Sequence, residues 1–217
     1  MQQVAAGASI TKHEKVVKAT KATLDEFFAD SCNIGRKALD KIEIARYSTP
    51  DSAYVVTRFY AKQQNGWRLR NEYKLQQDES LSVDPQLSDF NRDGFNDVTY
   101  ESVRAARGAN EVRKLFIYDQ TNDRLIYIKN SEDYPNMRYN KELNCIDAFL
   151  VSGCNVTVFL KIEKDSLREL ADVDQCDVLT VTTYDRKGKG KVILRKKTNR
   201  FDMTRFKNYR PLEEADD

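Results

Sequence analysis

At 217 residues, the chain is long enough for a substantial hydrophobic core, and its length favours one or two domains. Hydrophobic residues make up 40% of it and charged residues 32%, which excludes a collagen-like or intrinsically disordered protein. The net charge is only +2, and no apolar run approaches the roughly 18 residues that a membrane-spanning helix needs, so no transmembrane segment is expected.

The N-terminal region carries helical rather than strand patterns. After a small and polar start, the apolar residues between Lys15 and Asp30 recur at roughly helical spacing, which predicts an amphipathic helix. A short second helix is predicted over Ile34–Ile42. We therefore expect residues 1–50 to form a helical segment packed on a β-rich domain of residues 51–217.

Strand patterns dominate the remainder of the chain. Ser52–Ala61 and Trp67–Leu75 are β-branched and aromatic runs on either side of Asn65-Gly66, a strong hairpin signal. Further strands are predicted at Val98–Val103, Lys114–Tyr118, Leu125–Lys129, Ile146–Val151, Val156–Glu163, Val178–Tyr184 and Lys191–Lys196. Leu167–Ala171 fits either a strand or a helical turn. Because short turns join these runs, the predicted fold is α+β and mostly β, with one antiparallel sheet or sandwich.

The segment Asp89–Asp97, which reads D-F-N-R-D-G-F-N-D, has the composition of a calcium loop. Calcium prefers six to eight oxygen ligands, and alternating acidic or amide side chains can direct several oxygens to one point. Gly94 would allow the sharp turn, because glycine tolerates a positive φ. The predicted Ca²⁺ ligands are the side chains of Asp89, Asn91, Asp93 and Asp97 and the backbone carbonyl of Phe95.

This loop differs from an EF-hand. The twelfth position, which holds a bidentate carboxylate in EF-hands, is Tyr100 here, and Asp97 at the ninth position closes the loop instead. The alternative is an ion-free turn rich in Asp, Asn and Gly. Mutual repulsion among the neighbouring carboxylates argues against that alternative.

The pattern D-x-N-x-D-G-x-x-D running into a strand resembles the calcium loops of FG-GAP/VCBS-like repeat proteins. The following runs Leu115–Asp119, Asp123–Ile128 and Asn130–Pro135 resemble a pattern in small bacterial envelope proteins, over roughly Leu87–Ala148. Some of those proteins are immunity proteins or lysozyme-type inhibitors that block peptidoglycan-cleaving effectors. The resemblance implies a non-catalytic, calcium-binding envelope protein that binds and inhibits a protein partner.

The segment Asn130–Asn140 is the predicted partner-binding loop, because interface energy concentrates in large side chains such as Tyr and Arg. Its candidate contact residues are Tyr134, Met137, Arg138 and Tyr139. The alternative is a loop that packs its own tyrosines onto the sheet.

The four cysteines permit two disulfides. Because Cys145 and Cys154 flank a segment that could form a hairpin, we predict a Cys145–Cys154 bond, which leaves Cys32–Cys176. The alternative is four reduced thiols in a cytosolic protein. Disulfides and a calcium loop favour a periplasmic or secreted location, in a mature form that lacks its signal peptide.

The sequence offers little for catalysis. Its one histidine is His13, so neither a zinc site nor a histidine-dependent triad is expected. We therefore predict no enzymatic activity, while a carboxylate pair whose spacing the sequence does not reveal is the enzymatic alternative.

A basic run extends from Arg186 to Arg210, with eleven Lys or Arg residues against Asp202 alone. It fits either a solvated sheet face or a surface that steers an acidic partner. Glycine-rich phosphate loops and stacking signatures are missing, so nucleic acid is not expected as a partner. The alternative to an inhibitor is a carbohydrate- or surface-binding module of the bacterial envelope.

Overall fold

The computed structural model describes residues 21–197 and 203–215, and within these ranges the chain folds into antiparallel sheets without an α-helix. Sheet I has the order β1-β2-β3-β4, and its strands are Thr23–Asp30 (β1), Asp40–Thr49 (β2), Ser52–Gln63 (β3) and Gly66–Gln77 (β4). Sheet II has the order β5-β6-β7-β8, and its strands are Gln86–Ser88 (β5), Asp97–Ala105 (β6), Asn110–Asp119 (β7) and Arg124–Ile128 (β8).

Sheet III has six strands in the order β14-β13-β12-β11-β10-β9. They are Arg138–Asn140 (β9), Cys145–Val151 (β10), Asn155–Glu163 (β11), Ser166–Gln175 (β12), Val178–Tyr184 (β13) and Gly190–Lys197 (β14). A final hairpin pairs Phe206–Tyr209 (β15) with Leu212–Glu214 (β16). Two 3₁₀ turns, Ala106–Gly108 and Ser131–Asp133, precede β7 and β9.

Sheet II is the middle layer of the molecule. On β7, Phe116 and Tyr118 belong to a core shared with sheet I, whereas Leu115 and Ile117 belong to a second core shared with sheet III. Successive side chains of a strand point to opposite faces, so one buried strand supplies both cores.

The C-terminal hairpin covers the outer face of sheet III. Phe206 is buried there in a third core, and the rings of Phe159 and Tyr209 lie 5.2 Å apart. The Arg205 guanidinium bonds to the buried carboxylate of Asp147 through Nε at 2.5 Å. The hairpin is therefore held by both apolar packing and a buried ion pair.

The predicted N-terminal helices are wrong over the described residues. Within Lys15–Asp30, the residues from Thr23 onward form β1, while residues 15–20 lie outside the described ranges. Ile34–Ile42 comprises a turn and the first three residues of β2, and Ile34 forms an isolated bridge to Asn96. The boundary expected at residue 50, between a helical segment and a β-rich domain, falls in the turn that joins β2 to β3 of sheet I.

Most of the strand predictions are confirmed. Ser52–Ala61 and Trp67–Leu75 lie in β3 and β4, and Gln63 pairs with Gly66 across the predicted turn. The ambiguous segment Leu167–Ala171 lies in strand β12. The basic segment Lys191–Lys196 lies in β14, an outer strand of sheet III whose residues are all exposed.

The predicted disulfide pairing is wrong. Cys154 is bonded to Cys176, with 4.8 Å between their Cα atoms, while Cys32 and Cys145 are free. The register explains this pairing, because Val156 lies opposite Asp174 and two further residues along each strand bring Cys154 opposite Cys176. Cys145 begins β10, and seven extended residues place it roughly 20 Å from the turn that carries Cys154.

Candidate calcium loop and the surface beside it

The loop Asp89–Asp97 connects β5 to β6 at one end of sheet II. Its Asn96 is held by the segment before β2: the Asn96 side chain donates to the carbonyl of Asn33 at 3.0 Å, and its own carbonyl accepts the N–H of Gly35 at 3.3 Å. The loop therefore has an anchor outside its own sheet, at residues that lie about 60 positions earlier in the chain.

Side chains within the loop bond to its own backbone. The Asp89 carboxylate accepts the N–H groups of Asp93 at 3.1 Å and Gly94 at 2.9 Å, and the Asp93 carboxylate accepts that of Phe95 at 2.9 Å. Arg92 and Gly94 have positive φ values of 57° and 90°. These bonds and dihedrals bend the loop sharply, and glycine at its sixth position adopts the positive φ without steric cost.

Asp97 connects the loop to the middle sheet. Its side chain is fully buried, and its two oxygens accept the N–H groups of Phe90 and Tyr118, each at 2.8 Å. Burial and the negative charges of Asp93 and Asp89 raise the pKa of Asp97 to about 8, although the two backbone N–H groups lower it. A nearby cation would favour the ionised form of this carboxylate.

The loop gathers the oxygen ligands that calcium prefers, but it does not close them into a shell. Among the described residues, the carboxylates of Asp89, Asp93 and Asp97 have no ion pair. Within the described ranges, the three side chains whose possible metal-ligating atoms come together, within 4.8 Å of one another, are a different group: Cys154, Asp174 and Cys176. That second group includes a disulfide, so its sulfurs are not free ligands. Phe95 has its ring against Tyr118 at 5.4 Å, and its carbonyl is the predicted backbone ligand.

Two of the predicted partner-binding residues pack inward. Tyr134 and Met137 lie against the second core, and the Tyr134 hydroxyl donates to the Glu169 carboxylate at 3.2 Å. For these two residues, the structure corresponds to the alternative of a loop that packs onto the sheet.

The other two residues lie on opposite faces of β9. Arg138 is exposed and pairs with the buried Asp147 at 3.4 Å, on the face that the C-terminal hairpin covers. Tyr139 lies opposite Ile146 on the other face, where its hydroxyl contacts the Asn144 side chain at 2.8 Å. The four side chains therefore do not form one surface.

Tyr139 instead contacts the loop Asp89–Asp97. The guanidinium of Arg92 lies 5.6 Å from the centre of the Tyr139 ring, and Arg92 also donates to the Tyr139 hydroxyl at 3.1 Å. Arg92 and Asn144 were not among the predicted site residues. Arg92 stands at a variable position of the loop pattern, and no sequence signal singles it out.

A shallow cleft of about 200 Å³ opens beside this contact. Its lining includes Asn91 of the loop, Tyr139 and Asn144, with Ile146 and Lys161 from sheet III. The loop and the exposed part of β9 thus share one concave surface, which we call the loop cleft.

Carboxylates also cluster on the uncovered part of the inner face of sheet III. Asp172 accepts a hydrogen bond from the Tyr184 hydroxyl, and burial is the largest cause that raises the pKa of this carboxyl. Glu169 and Asp174 lie beside it in the same depression. Asp172 and Glu169 therefore each accept a hydrogen bond from a tyrosine hydroxyl, that of Tyr184 and that of Tyr134 respectively.

No protein-family model matches the chain, and no curated protein matches it significantly. A solved structure described as that of a Xanthomonas Type IV Secretion System related protein aligns at a TM-score of 0.46 and 10% identity. The alignment covers 76% of this chain and 93% of the other. That score is too low to establish a shared fold. No helix in the described ranges is long and apolar enough to cross a membrane.

Proposed function

We propose that this protein is a non-catalytic envelope protein that binds one Ca²⁺ in the loop Asp89–Asp97 and inhibits a protein partner through the loop cleft. The observation that carries the proposal is the contact between Arg92 and Tyr139, because it joins the loop to the segment that the sequence nominated for partner binding.

The calcium part rests on the donor set and its uncompensated charge. Asp89, Asn91, Asp93 and Asp97 and the Phe95 carbonyl supply oxygen ligands at the predicted spacing. Asp97 holds its carboxyl group in the interior, where burial favours the neutral form and a bound cation would favour the ionised one. An ion would offset the negative charge of the loop and draw the remaining oxygens together.

The partner part rests on the chemistry of the loop cleft. Arg and Tyr are the side chains in which binding energy most often concentrates, and Arg92 and Tyr139 are already held against each other. A preorganised pair loses less conformational entropy on binding than two free side chains. Calcium would therefore act on affinity by ordering Arg92.

The proposed target is a peptidoglycan-cleaving effector, and the proposed role is that of an immunity protein. The resemblance of Leu87–Ala148 to envelope inhibitors supports this target class. The Cys154–Cys176 disulfide supports an extracytoplasmic location, because such bonds persist mainly in oxidising compartments.

The test is a cell-wall turbidity assay with a muramidase, an amidase and an endopeptidase, run either in about 1 mM calcium or in EGTA. We expect near-stoichiometric inhibition of one enzyme class in calcium and weaker inhibition in EGTA. Arg92→Ala and Tyr139→Ala should each weaken inhibition by about 2 kcal/mol, or roughly thirtyfold, with unchanged melting temperature.

Arg186→Ala is the matched control, because Arg186 is exposed in the turn between β13 and β14, whereas sheet III lines the loop cleft with residues of β9, β10 and β11. If no enzyme class is inhibited in calcium, the inhibitor role is wrong. Cosedimentation with purified peptidoglycan without any effect on the enzymes would instead favour a carbohydrate- or surface-binding module.

A further inference from the structure

The outer face of sheet I carries a row of aromatic and basic side chains. Strand alternation on β3 places Val55 and Phe59 in the core and turns Tyr54 and Tyr60 outward. The register extends this row across β2, since Tyr54 lies opposite Tyr47 and Tyr60 lies opposite Lys41. The sheet register thus aligns side chains that are distant in sequence.

Ammonium groups lie over the rings of this face. Lys74 Nζ is 3.8 Å from the centre of the Tyr54 ring, and Lys41 Nζ is 4.5 Å from that of Tyr60. Trp67, 37% exposed on β4, has the ammonium groups of Lys41 and Lys62 at 5.6 and 5.9 Å. A cation held over a ring has a preferred position, so these lysines form an ordered array.

The positive charge of the face is only partly neutralised. Glu43 bonds to Lys41 at 2.6 Å and to the Tyr60 hydroxyl at 2.7 Å, and Glu72 bonds to Arg58 at 2.6 Å. In the part of the chain that the structure describes, Lys62 has no ion pair.

Lys74 likewise has no ion pair among residues 21–197 and 203–215. The two unpaired ammonium groups stand at opposite ends of the aromatic row, one beside Trp67 and the other over Tyr54. From Tyr54 to Tyr60 the row is roughly 20 Å long, at about 3.3 Å per residue.

We infer that this face, which we call the sheet I platform, binds an anionic polysaccharide. The ammonium groups of Lys62 and Lys74 can pair with carboxylates of such a polymer, and the exposed ring of Trp67 offers flat apolar surface to a sugar ring. The carboxylates of Glu43 and Glu72 can accept hydrogen bonds from sugar hydroxyls. The length of the row fits an oligosaccharide better than a single sugar.

Two other polyanions fit the face less well. The exposed apolar side chains lie at its two edges, with Leu24 and Phe27 on β1 and Trp67 and Leu69 on β4, so they form no continuous surface that could enter a bilayer. A nucleic acid duplex carries about one negative charge per 1.7 Å, a denser row than a polyuronate presents, so Glu43 and Glu72 would oppose its binding more strongly.

The platform is separate from the loop cleft, so this inference does not depend on the proposed inhibition. Affinity electrophoresis of the full chain through gels that contain polygalacturonate tests it. Fully methyl-esterified pectin is the matched polymer, because it keeps the sugar rings and removes the charge. We expect retardation by the first polymer and little by the second.

The double variant Lys62→Gln/Lys74→Gln should bind polygalacturonate about tenfold more weakly, since it removes two exposed ionic contacts. Lys196→Gln/Lys197→Gln on β14 removes the same charge from a different surface and should bind like the wild type. Equal loss in both variants would overturn the inference, because net charge alone would then explain binding.

Three further results would also overturn it: no retardation of the wild type by polygalacturonate, equal retardation by the esterified polymer, or stronger binding to oligo(dT) or to vesicles rich in phosphatidylglycerol. Melting temperatures of both double variants should match that of the wild type, because all four lysines are exposed or lie over surface rings. Inhibition of hydrolases should be unaffected by Lys62→Gln/Lys74→Gln, which distinguishes this test from that of the loop cleft.

Discussion

Asp97 links the loop Asp89–Asp97 to the middle sheet, which the sequence pattern does not predict. The pattern predicts it only as the closing ligand of a calcium loop, and the structure places its carboxylate between the backbone of Phe90 and that of Tyr118. Tyr118 belongs to β7, the strand that supplies residues to two cores. The hydrogen bond from its N–H to Asp97 therefore links the loop to both cores. Calcium binding should therefore affect global stability as well as the loop.

A calcium titration of the melting temperature tests this coupling. At a hundred times Kd, binding to the native state alone should add about 2.7 kcal/mol to the free energy of unfolding. Asp93→Ala should abolish the rise because it removes a charged ligand, whereas Asp133→Ala, at an exposed carboxylate outside the loop, should retain it. Calcium should reach about 10 mM, since extracellular sites are often weak. An unchanged wild-type melting temperature would contradict the site.

The two free cysteines should differ sharply in reactivity. Burial and the negative charge of Asp147 raise the pKa of the Cys145 thiol to about 12, whereas Cys32 is exposed. Because the thiolate is the reactive form, iodoacetamide at about pH 8 should label Cys32 alone in the native protein. In guanidinium chloride both should react. Mass spectrometry locates the label, and native labelling of Cys145 would contradict its buried position.

At the level of elements, strands were predictable where periodicity and turn chemistry agreed. The β3–β4 hairpin has both a strand pattern and Asn65-Gly66, and it was correctly located. The segment that forms β1 has apolar residues at helical spacing, but β2 pairs with it along its length and turns Phe28 inward and Phe27 outward. Pairing with β2 therefore overrode the helical spacing of the apolar residues. Sequence periodicity alone does not reveal such pairing.

The candidate site likewise has one part that follows from local sequence and another that depends on tertiary packing. The predicted calcium ligands follow from spacing alone, because they lie within nine residues, and they stay a prediction. The contact between Arg92 and Tyr139 joins residues 47 positions apart, and it depends on how sheets II and III pack. The inward packing of Tyr134 also depends on that arrangement, so composition could not separate contact residues from core residues.

The Cys154–Cys176 disulfide lies at the open end of the β11–β12 hairpin. Cys154 and Cys176 extend the β11–β12 register and close a loop of 22 residues. Peptide mapping without reduction should recover this pair and no bond to Cys145. Replacing both by serine should cost about 3 kcal/mol in the chain-entropy account, while Cys32→Ser should leave stability unchanged. A Cys145–Cys154 peptide would restore the pairing expected from sequence spacing.

At the scale of the molecule, the central position of sheet II determines how the candidate site is built. The loop Asp89–Asp97 emerges from sheet II, is held by residues before β2 of sheet I, and touches β9 of sheet III. Elements from all three sheets therefore meet at this loop. The sheet I platform lies on the opposite side of sheet I from the core, so the two proposed binding surfaces are supported by the same packed layers.

This arrangement predicts that damage to the core shared with sheet III also lowers the stability of sheet I. Leu115 is fully buried in that second core, and Leu115→Ala should cost about 2–5 kcal/mol. Trp67 is the single tryptophan and lies on β4, so its fluorescence reports on sheet I. If the layers unfold together, urea transitions followed by Trp67 fluorescence and by far-ultraviolet circular dichroism should shift equally. Val192→Ala truncates an exposed side chain on β14 and should move neither transition by more than about 0.5 kcal/mol. A Trp67 transition that stays in place while the circular dichroism shifts would show that sheet I unfolds independently.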